Sequence, residues 1–399
     1  MKILSIANKL PYPPRDGGAI GVLNTATGLS EAGNAVTIFA VNTKKHAYDP
    51  GDIPEEITSK VSFVTVDADT SIRSWDMLAN LLFSRKPYIA ARFHLPEVHS
   101  ALVSHLEENE YDIIQFEGPY LGIYLPEVRR LSKAKIVFRS HNVEYEIWQR
   151  HAKNERNLLK RWYMGVLHRR IRKFEIAVMQ GCDLMVTVSE RDEAILRSHH
   201  FNRPSITIPS GINVRDYRCR MVPAGRKICF IGALDWMPNQ EGLLWFIDHV
   251  LGDLADELPD VELHIAGRNA PPDLEKKLKV ANVVYHGEVE DAHQFLGISH
   301  ILIAPLLSGS GIRIKILEGM ALCKAVVTSG IGAEGIHAEH QRNLLIADDA
   351  RAFKEQLAFL LKNPDKAESI ARNARKLIQE KFDTFALCSR LTEFYKEMA

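Results

Sequence analysis

The stretch Ser308-Gly-Ser-Gly-Ile-Arg-Ile-Lys-Ile-Leu-Glu318-Gly-Met-Ala321 lies between two apolar runs, 301–304 and 325–328, that read as buried strands. A Gly-rich turn that opens a helix just past a strand aims its backbone N–H groups outward, and the partial positive charge of the helix start favours an anion. Arg313 and Lys315 add two full cations within the first turn. Cations at a helix start oppose the dipole, so helix stability does not account for them, whereas a bound phosphate does. Ser310, Gly311 and Ile312 form the turn that would meet that phosphate. Glu318 follows one turn later, placed to accept hydrogen bonds from a pair of sugar hydroxyls. Phosphate beside a ribose-binding carboxylate reads as a nucleotide site.

Outward from this segment the chain alternates short apolar runs with helical patterns. Strands are expected near 2–7, 35–40, 61–66, 112–116, 135–139 and 184–188, and again near 227–231, 261–266, 283–286, 300–304, 325–328 and 344–347. Helices fit near 20–32, 96–109 and 154–179, then near 240–257, 291–298, 312–322 and 351–361, with two more in 367–398 broken at Phe382-Asp383. The expected fold is α/β, with two Rossmann-like parallel-sheet domains facing a central cleft. Pro209-Ser-Gly-Ile-Asn213 reads as the hinge. The domains are expected at 1–208 and 209–382, with the helix of 383–399 packing back on the first.

Composition narrows the function. The chain has 399 residues, enough for two full cores, and its 50 bases balance its 50 acids, so no global field draws it to nucleic acid. Cys182, Cys219, Cys229, Cys323 and Cys388 are scattered without a C-x-x-C pair, which reads as reduced buried thiols in a cytoplasmic protein, not as a disulfide or zinc framework. Met1-Lys-Ile-Leu-Ser-Ile-Ala7 reads as a first strand, too short for a signal-peptide core, and no run reaches the length of a membrane span.

Further positions carry chemistry once placed at strand ends. Gly17-Gly18 stands in the loop after the first strand, where paired glycines let backbone approach a ligand, or simply make a turn. No G-x-G-x-x-G follows that strand, so a dinucleotide fingerprint is absent. His141 sits just past the strand ending near Arg139, and from position alone it is either a site residue or one of the structural and surface histidines that most of the 16 must be. Gly287-Glu288-Val289 follows another strand and can set backbone groups against a nucleobase edge or form a plain turn. Asn239 reads as a helix cap, and Trp236 as core in preference to cleft lining. Between Arg150 and Lys173 nine Lys and Arg accompany one acid, with Leu159, Trp162, Tyr163, Val166, Leu167, Ile171 and Phe174 near helical spacing. That helix either lies on an anionic membrane or packs on the core with a solvated basic face.

Assembled, these positions resemble glycosyltransferase family 4, retaining nucleotide-sugar enzymes of the GT-B fold. The resemblance spans nearly the whole chain. It is carried by 308–321 with Lys324-Ala-Val-Val-Thr-Ser329, the Gly17-Gly18 loop, Ser140-His-Asn142, Val186-Thr-Val-Ser-Glu190 and Ile208-Pro-Ser-Gly-Ile212. It implies that Glu318 binds the ribose, that Gly18 approaches the donor diphosphate, that His141 stands near the donor sugar and that Gly287–Val289 contacts the base.

Two departures stand out. The first glutamate of the family's Glu-x7-Glu pattern falls at Ser310, and the segment that usually carries the diphosphate-gripping Arg reads Gly232-Ala233-Leu234, with no lysine before the helix. Arg313 and Lys315 are the candidates for those cations, as in a branch of the family with Gly-x-Arg-x-Lys before the glutamate. The resemblance implies transfer from a UDP- or GDP-sugar to a saccharide or lipid-linked acceptor, with the leaving phosphate deprotonating the acceptor and no divalent metal or other cofactor. It places the protein in the cytoplasm, with peripheral contact at the inner face of the membrane left open. The rivals are a nucleotide-sugar epimerase of the same architecture and a non-catalytic glycan-binding protein with a degenerate site.

Overall fold

Strands buried on both faces read as continuous apolar runs, and parallel pairing with helical crossovers is the arrangement that buries them. The computed structural model describes residues 1–14, 17–155, 157–219, 225–308 and 312–398. All twelve expected runs form strands, with ends shifted by up to three residues, and a thirteenth joins them. In chain order they are β1 Lys2–Ala7, β2 Ala35–Thr43, β3 Val61–Ala68, β4 Ile113–Glu117, β5 Lys135–Ser140, β6 Leu184–Thr187, β7 Ser205–Thr207, β8 Lys227–Ile231, β9 Glu262–Ala266, β10 Val283–Tyr285, β11 Ile301–Ala304, β12 Ala325–Thr328 and β13 Leu345–Ile346.

Two compact units result, Met1–Gly211 with Thr384–Ala399, and Ile212–Asp383. The first holds a seven-stranded sheet in the order β3-β2-β1-β4-β5-β6-β7, the second a six-stranded sheet in the order β10-β9-β8-β11-β12-β13, and every pairing is parallel. Both are doubly wound α/β sheets.

In the first sheet the pleat sends Leu4, Ile6, Ile114, Phe116, Ile136 and Phe138 to one core and Ile3, Ile38, Ile113 and Val137 to the other. Ser5, Gln115, Glu117 and Arg139 share the second face by the same period of two, with Ser5 beside Gln115 and Glu117 beside Arg139 in register. This face is covered by the helix Gly17–Glu31 and by the C-terminal helix Thr384–Met398. Their contact depends on Gly28, where a Cβ would lie 2.6 Å from Cys388 Sγ and 2.7 Å from Thr384 Cγ2. In the second unit Ile301 and Ile303 face one core and Leu302 and Ala304 the other.

Several expectations need correction. Gly17 and Gly18 open the Gly17–Glu31 helix and do not lie in the preceding loop. Residues 150–173 are not one helix: Glu144–Asn154 ends, and Leu158–Gly181 begins afresh with Asn157 capping Lys160. Its second half is core, with Leu167 and Ile171 buried as the packed reading expects, while Leu158, Leu159 and Trp162 are exposed. Trp236 is exposed, not core, and it caps the helix Met237–Phe246 through its backbone, so Asn239 lies inside the helix and is not its cap.

Cys219 and Cys323, 104 residues apart, form a disulfide with a Cα–Cα distance of 5.3 Å, while Cys182, Cys229 and Cys388 are free and buried. Sequence distance hid the pair. The chain after Tyr217 lies against the end of the helix Ile314–Ala321, and Arg375 donates to the carbonyls of both Tyr217 and Ala321. The bond stands at odds with the cytoplasmic placement expected from the sequence, because disulfides persist mainly in oxidising compartments. Among the described residues no helix is long and apolar enough to cross a membrane.

Candidate functional site

In the second unit, β11 is followed in the chain by the helix Ile314–Ala321. Ser310 and Gly311 lie outside the described residues. Arg313 is the N-cap residue, contributes no side-chain cap, and is buried. Ile312 is half-buried against the apolar core. Lys315, in the first turn, extends to β8 and the chain that follows it. Its Nζ donates to Asn239 Oδ1 at 2.7 Å and lies 4.5 Å from the centre of the Phe230 ring. Asn239 in turn donates to the Ala233 carbonyl at 2.8 Å.

Gly232 leaves room for this arrangement, because a Cβ there would come 2.7 Å from Asn239 Nδ2 and 3.4 Å from Lys315 Nζ. Lys315 therefore brings its charge to Gly232-Ala233-Leu234, the segment in which the sequence lacks a cation. Burial first, and the Arg313 charge second, lower the Lys315 ammonium pKa to about 7. An amide oxygen and a ring face are weak compensation for a desolvated ammonium, and an anionic ligand would restore its charge.

Glu318 stands one turn further along. The Tyr217 hydroxyl donates to its Oε1 at 2.9 Å, and the Tyr217 ring centre lies 4.6 Å from that of His293. Burial raises the Glu318 carboxyl above the ordinary range, while the Tyr217 hydrogen bond and the His293 ring pull it back. Burial and the adjacent carboxylate push the Tyr217 phenol upward, so it remains a donor. Each carboxylate oxygen accepts more than one hydrogen bond, so the Tyr217 contact orients Glu318 without exhausting it. Gly287 adopts φ +71° and its carbonyl accepts from Gly267 N at 2.9 Å, Glu288 is exposed, and Val289 packs on the core. The Gly287 carbonyl is thus already engaged within the fold.

In the first unit, His141 follows β5, half-buried. Its Nε2 lies 2.6 Å from Glu117 Oε2, and a Cβ at Gly21 would lie 3.7 Å from its Nδ1. Glu117 ends β4 and is buried. Its Oε1 accepts from Ser5 Oγ and Gln115 Nε2, each at 2.6 Å, and its Oε2 from Arg139 at 2.9 Å. Arg139 also donates to Thr25 Oγ1 at 2.7 Å, and Tyr395 of the C-terminal helix donates to Gln115. Burial would raise the Glu117 carboxyl, but Arg139, His141 and Ser5 outweigh it and hold the group well below the usual carboxylate range. A permanently ionised carboxylate with three other donors fixes the imidazole in place. Gly17 and Gly18 are exposed in the first turn of the Gly17–Glu31 helix.

The sequence reading did not find Glu117, Arg139, Tyr217 or Asn239 as members of these clusters. The one available signal was polarity at strand ends: Gln115-x-Glu117 and Arg139 interrupt runs that are otherwise apolar.

Comparison with known proteins agrees with this fold. The model of glycosyltransferase family 4 matches residues 15–216, and that of the group 1 glycosyl transferases matches 225–363. The chain is 25% identical over 401 aligned positions to an uncharacterized 44.6 kDa protein of the cps region of Klebsiella pneumoniae, covering 96% of this chain and 97% of that one. Sucrose-phosphate synthase from Thermosynechococcus elongatus has a similar fold, with a TM-score of 0.72 at 17% identity, covering 100% of this chain and 99% of the other. Anabaena HepE in complex with UDP-glucose gives 0.64 at 13% identity, with 100% of both chains covered. Two parallel-sheet units of this kind are the GT-B architecture, and with the family model matching half of its length the chain belongs to glycosyltransferase family 4 and is a glycosyltransferase.

Proposed function

We propose that this glycosyltransferase moves a sugar from a UDP- or GDP-sugar to a hydroxyl of a saccharide or lipid-linked saccharide, with retention of anomeric configuration, during cell-surface polysaccharide or glycolipid synthesis. The observation that carries the reading is Lys315, desolvated beside Gly232 and Asn239 at the start of the helix that also bears Glu318. Relatives lend support: the HepE structure holds UDP-glucose, and the Klebsiella pneumoniae protein belongs to a cps region.

Breaking the bond between the sugar and the diphosphate places developing charge on the leaving phosphate. Arg313, Lys315 and the amides of the helix start are fixed donors for that charge, and one such preorganised donor contributes roughly 3–4 kcal/mol to the barrier. Glu318, oriented by Tyr217, accepts from the ribose hydroxyls. Gly18 offers backbone to the diphosphate, Gly287–Val289 takes the base, and Ser310, Gly311 and Ile312 remain the sequence-based candidates to meet the phosphate. His141, held by Glu117, stabilises charge at the donor sugar or positions it. The leaving phosphate takes the acceptor proton, so His141 is not a dedicated base, and Arg313 and Lys315 do the work that a divalent metal would otherwise do at the diphosphate.

The test is incubation with UDP- and GDP-sugars and a saccharide acceptor, following free nucleoside diphosphate and the anomeric configuration of the product by NMR. Acceptor-dependent release with a retained anomer is expected. Epimerised donor without transfer, or an inverted product, overturns the reading.

A further inference from the structure

The helix Ser74–Phe83 buries none of its residues, although its sequence is mostly apolar. Trp75, Leu78 and Leu82 recur at helical spacing on one face, and all three are exposed, as are Phe83 at its end and Ile72 before its start. Trp75 is 81% and Phe83 88% accessible. An amphipathic helix in a globular protein ordinarily turns such a stripe to the core.

A second apolar group lies at the start of the helix Leu158–Gly181, where Leu158, Leu159 and Trp162 stand in water, Leu159 at 80%. The two groups are neighbours. The backbone N–H of Arg73, which caps the 74–83 helix, donates to the Tyr88 hydroxyl at 3.1 Å. Tyr88 in turn acts on the Tyr163 phenol, whose pKa is raised by burial and by that neighbour. At its other end, Arg170 donates to the carbonyls of Asn80 at 3.1 Å and Leu81 at 2.8 Å. The 74–83 helix is therefore tied to the 158–181 helix through Arg170.

The sequence that carries these apolar groups is basic, although Arg73 pairs with Asp69 and Arg150 with Glu146. Residues 72–86 and 150–173 contain twelve Lys and Arg against two acids, so the rest of the chain holds 38 bases against 48 acids. The overall neutrality conceals this segregation.

We propose that these apolar groups dock on a membrane surface rich in anionic lipid. Tryptophan, phenylalanine and leucine enter the boundary between headgroups and acyl chains, while the flanking cations meet the anionic headgroups. A second copy of the chain does not fit the surface equally well, because its matching face carries the same positive excess and like-charge juxtaposition opposes the contact. The sequence pointed to the basic 150–173 stretch alone. The structure moves the contact to the 74–83 helix and the first turn and a half of 158–181, and assigns the rest of that helix to the core. The inference does not rest on the transfer reaction.

The experiment is flotation of the full chain with phosphatidylcholine vesicles, plain or containing about one-third phosphatidylglycerol, in about 0.1 M and about 1 M salt, a range over which the Debye length falls from roughly 10 Å to 3 Å. Binding to the anionic vesicles is expected, at least tenfold weaker to plain vesicles and lost in high salt. The pairs Trp75→Glu with Phe83→Glu, and Leu159→Glu with Trp162→Glu, should each weaken it at least tenfold. These side chains are exposed, so the melting temperature and UDP affinity should not change. No binding to any vesicle, equal binding by both variants, or a dimer that the same substitutions dissolve would overturn the proposal.

Discussion

The two charged clusters of this molecule are built on opposite plans. Around Glu117, one buried carboxylate gathers Ser5, Gln115, Arg139 and His141, and its charge is answered within the fold. Around Lys315, a desolvated ammonium meets an amide oxygen and a ring, with Arg313 adding like charge, and its pKa falls to about 7. The first cluster is complete as it stands and holds the imidazole in place. Among the described residues no carboxylate answers the Lys315 charge, and an anionic ligand would supply one. Preorganisation thus takes two forms here: a group locked in its charged state, and a group whose charge awaits a ligand.

The largest effect should come from breaking the complete cluster. Glu117→Ala leaves Arg139 buried without its carboxylate, which costs about 3–5 kcal/mol, so urea denaturation should show a large loss of stability. His141→Ala should be far milder for the fold, yet should reduce transfer strongly with nucleoside diphosphate affinity nearly intact. A parallel loss of binding and transfer would break the distinction between the clusters.

Removing the cations should behave in the reverse manner. Arg313→Ala and Lys315→Ala should each lower kcat by about 10²–10³-fold, as expected when a donor to developing charge is lost. The fold should lose little, and the ligand-free protein gains some relief from like charge at the helix start. Normal steady-state turnover in the double variant would place the diphosphate elsewhere.

Glu318→Ala probes a contact to neutral hydroxyls and should show a smaller effect, about 1.5–3 kcal/mol in nucleotide affinity by calorimetry. An unchanged affinity would leave the Tyr217–Glu318 pair with a purely structural role.

Much of this was legible in the sequence. Twelve short apolar runs, rich in β-branched residues and separated by helical patterns, located the strands, and β7 escaped because Ser205–Thr207 is three half-buried residues at a sheet edge. Arg313, Lys315 and Glu318 stood out because cations at a helix start contradict local stability. Glu117 did not, since a strand-end carboxylate gives no sign of the four donors that tertiary structure will bring to it. The Cys219–Cys323 bond was hidden by the 104 residues between its partners. The 74–83 helix was passed over because its apolar residues have no core to meet, so the pattern that marks most helices served no packing there.

The central claim is that a ligand's negative charge completes the Lys315 cluster, and proton linkage tests it most directly. A lysine lowered to about 7 is mostly neutral at pH 8.5, so the ligand-free protein gains stability as pH rises from about 7 toward the ordinary lysine range. Binding of a diphosphate reverses that shift and takes up a proton. Calorimetric titration with UDP and with GDP at pH 8.5, in buffers of different ionisation enthalpy, should show uptake of about one proton per nucleotide bound, absent in Lys315→Met. Binding without proton uptake, uptake that persists in Lys315→Met, or no binding of either nucleotide would contradict the account.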